Sequence, residues 1–163
     1  FQFKDALGRE WQLGTAQLDF QMPERFGLEY TDSDGTKKRP IMIHRAVAGS
    51  LERFLAVAIE HFAGAFPFWM SPVQVVILPV NDEAHGEYAE EIFQELQKEN
   101  IRVELFPAEE SLGKRIHLAK NQKVPYIFVL GDKEKDGKTI TAEGRGEEKF
   151  EGITLSEFLQ KVL

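Results

Sequence analysis

Residues Val73 to Val80 form a nearly unbroken aliphatic run, Val-Gln-Val-Val-Ile-Leu-Pro-Val, with none of the alternation of a half-solvated strand. A strand of this kind needs apolar cover on both faces, which few architectures supply. The cover follows directly in the chain. Ala84 to Glu99 repeats Tyr88, Ile92 and Leu96 at helical spacing, and Ile101 to Phe106 is again strand-like, so the stretch reads as a β-α-β unit. Leu112, Ile116 and Ala119 predict a second helix, Tyr126 to Leu130 a buried strand and Thr139 to Ala142 an edge strand. Thr154 to Val162 predicts a last helix, with Thr154 or Ser156 near its cap. The expectation for this half is a small α/β domain with a mixed, partly parallel sheet.

The preceding residues follow a different pattern. Phe1 and Phe3 alternate with polar residues, Leu7-Gly8 marks a turn, and Trp11 to Phe20 is long enough for a central strand. Glu29-Tyr30-Thr31 and Pro40 to His44 flank Asp32-Ser33-Asp34-Gly35, a hairpin signal. After Gly49, the residues Leu51, Phe54, Leu55, Ala58, Ile59 and Phe62 predict one buried helical stripe capped by Ser50 and stopped at Gly64. Antiparallel hairpins with a helix predict an α+β unit. The segment Phe66 to Pro72 holds two prolines and no helical period, which places a domain boundary between 1–71 and 72–163.

Composition narrows the chemistry. With 42% hydrophobic and 29% charged residues the chain has the balance of a globular protein, and no stretch is long and apolar enough to span a membrane. Cysteine is absent, so disulfides, thiol nucleophiles and thiolate metal sites are excluded within these 163 residues, a pattern that fits a cytoplasmic protein. His44, His61, His85 and His117 form no HxxxH or HxH pair, and a complete zinc site is not encoded. His61 is expected at the margin of the core, and His85 and His117 on exposed helix faces. Net charge is -7, and residues 72–163 hold 12 Lys and Arg against 18 Asp and Glu, an odd balance for an RNA binder. Lys114, Arg115, Lys120 and Lys123 could still form a local basic strip. The opening at Phe1 inside a strand pattern is read as the start of a fragment.

Several residues could carry chemistry. Gln12, Thr15 and Gln17 put amides and a hydroxyl into an apolar strand. A bulge at Gly14 would bring the two glutamines to one face, where they could grip a ribose or an amino-acid head group. The pattern alone favours a plainer reading, the polar outer face of a half-buried strand. Arg53 lies off the apolar helix stripe, on the face of Glu60, where it could form an ion pair or meet a base and a phosphate. His44, at a strand end beside Arg45, could be one ligand of a metal site completed by residues elsewhere.

Three segments resemble one family. Lys4 to Phe20, with Trp11-Gln12-Leu13-Gly14-Thr15-Ala16-Gln17-Leu18-Asp19-Phe20 at its heart, is similar to the late catalytic core of the threonyl-tRNA synthetases. Arg39-Pro40-Ile41-Met42-Ile43-His44-Arg45-Ala46, followed by Gly49-Ser50-Leu51-Glu52-Arg53-Phe54, resembles the third signature motif of class II synthetases in its threonyl version. Gly64 to Val75 is similar to that family's passage into an anticodon-binding domain. The prolyl synthetases are a neighbouring possibility, against which the Trp11 to Phe20 run argues.

The resemblance implies the end of an antiparallel-sheet catalytic core, residues 1–71, followed by an α/β anticodon-binding domain, residues 72–163. It implies a ligase that activates threonine with ATP and Mg2+ and passes it to tRNA, cytoplasmic, homodimeric and free of any membrane role. By the same resemblance Arg53 stacks on adenine and reaches the γ-phosphate, while Gln12 and Thr15 lie near ribose and phosphates. Gln17 lies near the threonyl group and the tRNA end, Ser50 lines the same pocket, and His44 is the third ligand of a catalytic Zn2+ that binds threonine. Glu134, in Gly131-Asp132-Lys133-Glu134, matches a residue that reads the anticodon. The first two signature motifs and the other two zinc ligands are not among these residues, so the chain alone is expected to be inactive. Ala142 stands where many relatives have an anticodon-contacting arginine, and Glu109 where they have an asparagine. These departures motivate an alternative, a non-catalytic tRNA-binding or regulatory paralogue.

Overall fold

The computed structural model describes residues 1–146 and 148–163, and internal contacts divide the chain into Phe1–Ala63 and Gly64–Leu163. Residues 64–71, placed with the first domain by the sequence, are hydrogen-bonded into the second unit. Ser71 Oγ donates to Phe66 O, and Arg102 donates to Ser71 O and Trp69 O.

In the first unit β1 (Gln2–Lys4) and β2 (Glu10–Gln12) form an antiparallel hairpin around Leu7-Gly8. The buried carboxylate of Asp5 holds this turn from within, accepting the N–H groups of Leu7 and Arg9, the Arg9 guanidinium and Trp11 Nε1. The run expected as one strand from Trp11 to Phe20 is in fact two. β2 ends at Gln12, and β3 (Thr15–Asp19) pairs with a different partner. At the break the Phe1 backbone nitrogen donates to Gly14 O and Leu13 N–H donates to Phe1 O, so backbone bonds bend the chain away before β3 starts.

Asp19 Oδ1 accepts the N–H groups of Gln21 and Met22 and opens a short helix, α1 (Gln21–Arg25), that the apolar pattern does not announce. β4 (Tyr30–Thr31) and β5 (Lys37–Lys38) form the hairpin around Asp32 to Gly35. The turn was legible, but the returning strand is Lys37–Lys38, not residues 40–44. β6 (Met42–Ala46) instead pairs with β3, placing Gln17 opposite His44. In α2 (Leu51–His61), Ser50 Oγ accepts Arg53 N–H as the cap. Arg9 donates to both oxygens of Glu60 and ties the first hairpin to α2. The expected buried stripe is corrected: Val57 and Ala58 are buried, whereas Leu51, Leu55 and Ile59 are exposed.

The second unit begins, after a single turn at Phe68–Met70, with β7 (Val75–Pro79), buried along its whole length. It continues through α3 (Asp82–Lys98), β8 (Val103–Leu105), α4 (Leu112–Asn121), β9 (Tyr126–Leu130) and α5 (Asp132–Gly137). β10 (Ile140–Gly144), β11 (Lys149–Ile153) and α6 (Leu155–Val162) complete it. The sheet order is β11-β10-β9-β7-β8, with β8, β7 and β9 parallel and the other pairs antiparallel, a mixed sheet as expected. Strand period sends Val75 and Ile77 to one face, with Tyr88, Ile92 and Leu96 of α3 and Phe158 of α6, and Val76 and Leu78 to the other, with Ala119 of α4. Phe158 meets the Phe128 ring edge-on at 4.9 Å. Thr154, not Ser156, caps α6 in a reciprocal pair with Glu157.

β10 is not an edge strand, because β11 covers it. Its Ala142 side chain is fully buried in the core with Phe128 and Phe158. An arginine there would have to bury an unpaired charge. Ala142→Arg should therefore lower unfolding free energy by at least about 3 kcal/mol in urea titration.

Burial alone would raise the Asp5 carboxyl, but hydrogen bonds from Trp11, the Arg9 guanidinium and the N–H groups of Arg9 and Leu7 outweigh it and hold it at about 2, below its ordinary 3.8. With the folded value depressed, its stabilisation is complete above the ordinary value and is lost as pH falls through about 2. Urea midpoints followed by tryptophan fluorescence should fall across that window in the native chain, and Asp5→Asn should remove the step.

Candidate functional site

The residues singled out in the first unit are placed by two backbone events. Gly49 has φ +69, and a Cβ there would sit 2.7 Å from Leu13 O, so only glycine lets the loop before α2 lie against the end of β2. The next residues are the Ser50 cap and, in the first helical turn, Arg53, whose Nη1 donates to Gln12 O at 3.0 Å. Arg53 therefore reaches the Gln12 backbone, while Glu60 is taken by Arg9. Antiparallel register puts Thr15, Gln17 and Asp19 on the same face of the β3–β6 pair as His44. His44 Nε2 lies 2.9 Å from Asp19 Oδ2. The Asp19 carboxyl is held below the usual carboxylate range by the Met22 N–H first, then by His44 and the Gln21 N–H.

Two constellations thus form within this unit: Gln12 with Ser50 and Arg53, and Thr15 with Gln17 and His44. The amides of Gln12 and Gln17 belong to different two-stranded sheets, so the proposed bulge at Gly14 does not unite them. A cavity of about 280 Å3 nearby is lined by Phe1, Leu13, Gly14, Arg45 and Val47, not by Gln17, His44 or Arg53. Among the described residues no cluster of three or more His, Asp and Glu could hold a metal ion, so His44 and Asp19 fall short of a three-ligand zinc site.

In the second unit β7, β8 and β9 are parallel, so the residues that follow each strand gather along one sheet edge, where α/β proteins place ligands. Asn81, Glu109 and Gly131 to Glu134 all lie at this edge. Glu134 Oε2 accepts Gly131 N–H at 3.0 Å and Oε1 accepts the Thr141 hydroxyl at 2.8 Å. Burial pushes the Glu134 carboxyl up, but those two bonds outweigh it and keep it below its ordinary value. Lys133, Glu134, Thr139, Thr141, Glu151 and Gly152 line a polar cavity of about 390 Å3. An ionised carboxylate there can only accept hydrogen bonds, which suits a partner presenting N–H groups.

Two expectations are corrected in this unit. His85 is buried, not exposed: its Nδ1 accepts Asn81 N–H and its Nε2 lies 2.9 Å from Asp132 Oδ1. Its partner is 47 positions away in sequence, so no local pattern could have revealed it. The basic strip does not form as imagined. Arg115 is buried, donating to the carbonyls of Pro79, Phe106 and Glu110, while Lys114 pairs with Glu110 and Lys120 with Glu143.

Comparison with known proteins matches both units. Residues 74–163 match the family described as Anticodon binding domain, and residues 1–62 match the tRNA synthetase class II core domain (G, H, P, S and T). The chain belongs to the anticodon-binding-domain family, with a class II tRNA synthetase core match ahead of it. It is 49% identical over all 163 residues to a threonine–tRNA ligase of Caldanaerobacter subterraneus, and 48% identical to a threonine–tRNA ligase catalytic subunit of Saccharolobus islandicus. It spans 25% of the first and 30% of the second. The solved RNA-binding domain of threonyl-tRNA synthetase from Cryptosporidium parvum superposes with a TM-score of 0.86 at 36% identity, covering 99% of this chain and 41% of that one. These likenesses do not favour the non-catalytic paralogue. The core fold and anticodon-binding domain expected from the third-motif residues and Gly131-Asp132-Lys133-Glu134 are those of the family.

Proposed function

We propose that these residues supply the third-motif helix and the anticodon-reading domain of a threonine–tRNA ligase, which joins threonine to its tRNA at the expense of ATP. The observation that carries the proposal is the cap of α2: Gly49 against Leu13 O, Ser50 on the helix end, and the Arg53 guanidinium fixed on Gln12 O. In amino-acid activation the threonine carboxylate attacks the α-phosphate of ATP and pyrophosphate leaves. The protein contributes positioning and charge stabilisation, not a nucleophile of its own.

A guanidinium anchored through Nη1 keeps its planar face and remaining N–H groups available to a base and a phosphate, the role the resemblance gives Arg53. Thr15, Gln17 and Ser50 offer uncharged hydrogen bonds for ribose, phosphate and the threonyl group. Mg2+ would neutralise phosphate charge when ATP binds. Zn2+ would take His44 as one ligand, but the donors present do not complete its site, and no step is derived through it. The reading extends to tRNA as partner and to a cytoplasmic homodimer, as the resemblance implies.

In a full-length threonine–tRNA ligase carrying these residues, Arg53→Ala should lower threonine-dependent pyrophosphate exchange by about 100-fold or more. Unchanged exchange would remove Arg53 from the mechanism. In the second unit, Glu134→Ala should weaken binding of an RNA hairpin bearing the threonine anticodon by about tenfold, measured by fluorescence anisotropy. Equal loss for a hairpin with a swapped anticodon would show that Glu134 does not read sequence.

A further inference from the structure

His85 is a buried titratable group that the proposed mechanism does not use. Its side chain is only 6% exposed. Nδ1 accepts the N–H of Asn81 at 3.1 Å, and the Asn81 side chain in turn caps α3 by accepting Ala84 N–H. A nitrogen that accepts carries no proton, so the ring proton sits on Nε2 and is donated to Asp132 Oδ1 at 2.9 Å. Asp132 is the first residue of α5, and its side chain is otherwise 91% exposed.

The same face of α3 holds the rest of the segment. Lys135 Nζ donates to Ala84 O at 2.8 Å, Tyr88 Oη donates to Thr139 O at 2.8 Å, and Lys138 pairs with Glu91 at 2.9 Å. Residues 84, 85, 88 and 91 form one helical stripe, so α3 acts as a rail along which 132–139 is fastened. Glu134 and Thr139, two walls of the polar cavity, lie inside that fastened stretch, whereas His85 does not line the cavity.

We infer that His85 is a positioning residue: as the Nε2–H tautomer it locks the Asp132–Glu134 turn and so aims the Glu134 carboxylate into the polar cavity. The link to anticodon discrimination rests on the function proposed above, and the locking of the turn stands apart from it.

The test uses the 163-residue chain. His85→Phe keeps a buried ring and removes both bonds. His85→Gln returns an acceptor and a donor. Asp132→Ala cuts the same link from the exposed side without disturbing the core, and Asp132→Asn retains an accepting oxygen. Amide hydrogen exchange at Gly131 to Lys135 should accelerate by about tenfold in His85→Phe and Asp132→Ala, leave the β9 amides unchanged, and return towards native rates in His85→Gln and Asp132→Asn. The same two disruptive variants should reduce by about fivefold the preference for a threonine-anticodon hairpin over a swapped one, with affinity for the swapped hairpin unchanged. Native exchange at 131–135 in Asp132→Ala, or acceleration spread evenly over the unit in both disruptive variants, would overturn the positioning role. If the native chain binds both hairpins equally, the anticodon reading of the cavity fails, and the exchange result alone decides the role of His85.

Discussion

The double-sided burial of Val75–Pro79 is the constraint on which the second unit depends. A strand that must hide both faces requires a helix on each side, and α3 and α4 supply them from the segments that follow. Parallel pairing of β7 with β8 and β9 then gathers the loops after those strands along one edge. Arg115 fixes that edge from within by donating to Pro79 O and Phe106 O, the ends of two neighbouring strands. The polar cavity bounded by Glu134 and Thr141 is thus a consequence of where the apolar run needed cover.

Much of this was legible because it rests on periodicity. Tyr88, Ile92 and Leu96 recur every four residues, and all three are buried. Tyr126–Leu130 is a strand with the bounds its composition suggested. What escaped was set by partners distant in sequence. Trp11 to Phe20 looks continuous, yet bonds between Phe1 and residues 13 and 14 split it. Thr139 to Ala142 looks like an edge because the strand that covers it, Lys149–Ile153, is too polar to announce itself.

The candidate sites divide along the same line. Ser50 and Arg53 were legible because a helix cap and its first turn are local in sequence. The sharing of a sheet face by Gln17 and His44 depends on the β3–β6 register, which the wrong choice of hairpin partner concealed. His85 was misjudged because an imidazole among Glu83, Glu87 and Glu90 reads as solvated, and only the fold delivers Asp132 to it. Resemblance supplied the roles, and geometry showed which residues are near enough to share them. It also altered the meaning of one departure: Ala142 faces a packed core, so its small size follows from space and does not by itself signal lost RNA recognition.

Leu18 on β3, Ile43 on β6 and Ile41 just before it, with Leu51, Leu55 and Ile59 on α2, leave a generous share of the first unit's oily side chains in contact with water. Apolar surface of this extent is suited to packing against further chain, and the threonine–tRNA ligases that this chain matches are longer proteins of which it spans 25% and 30%.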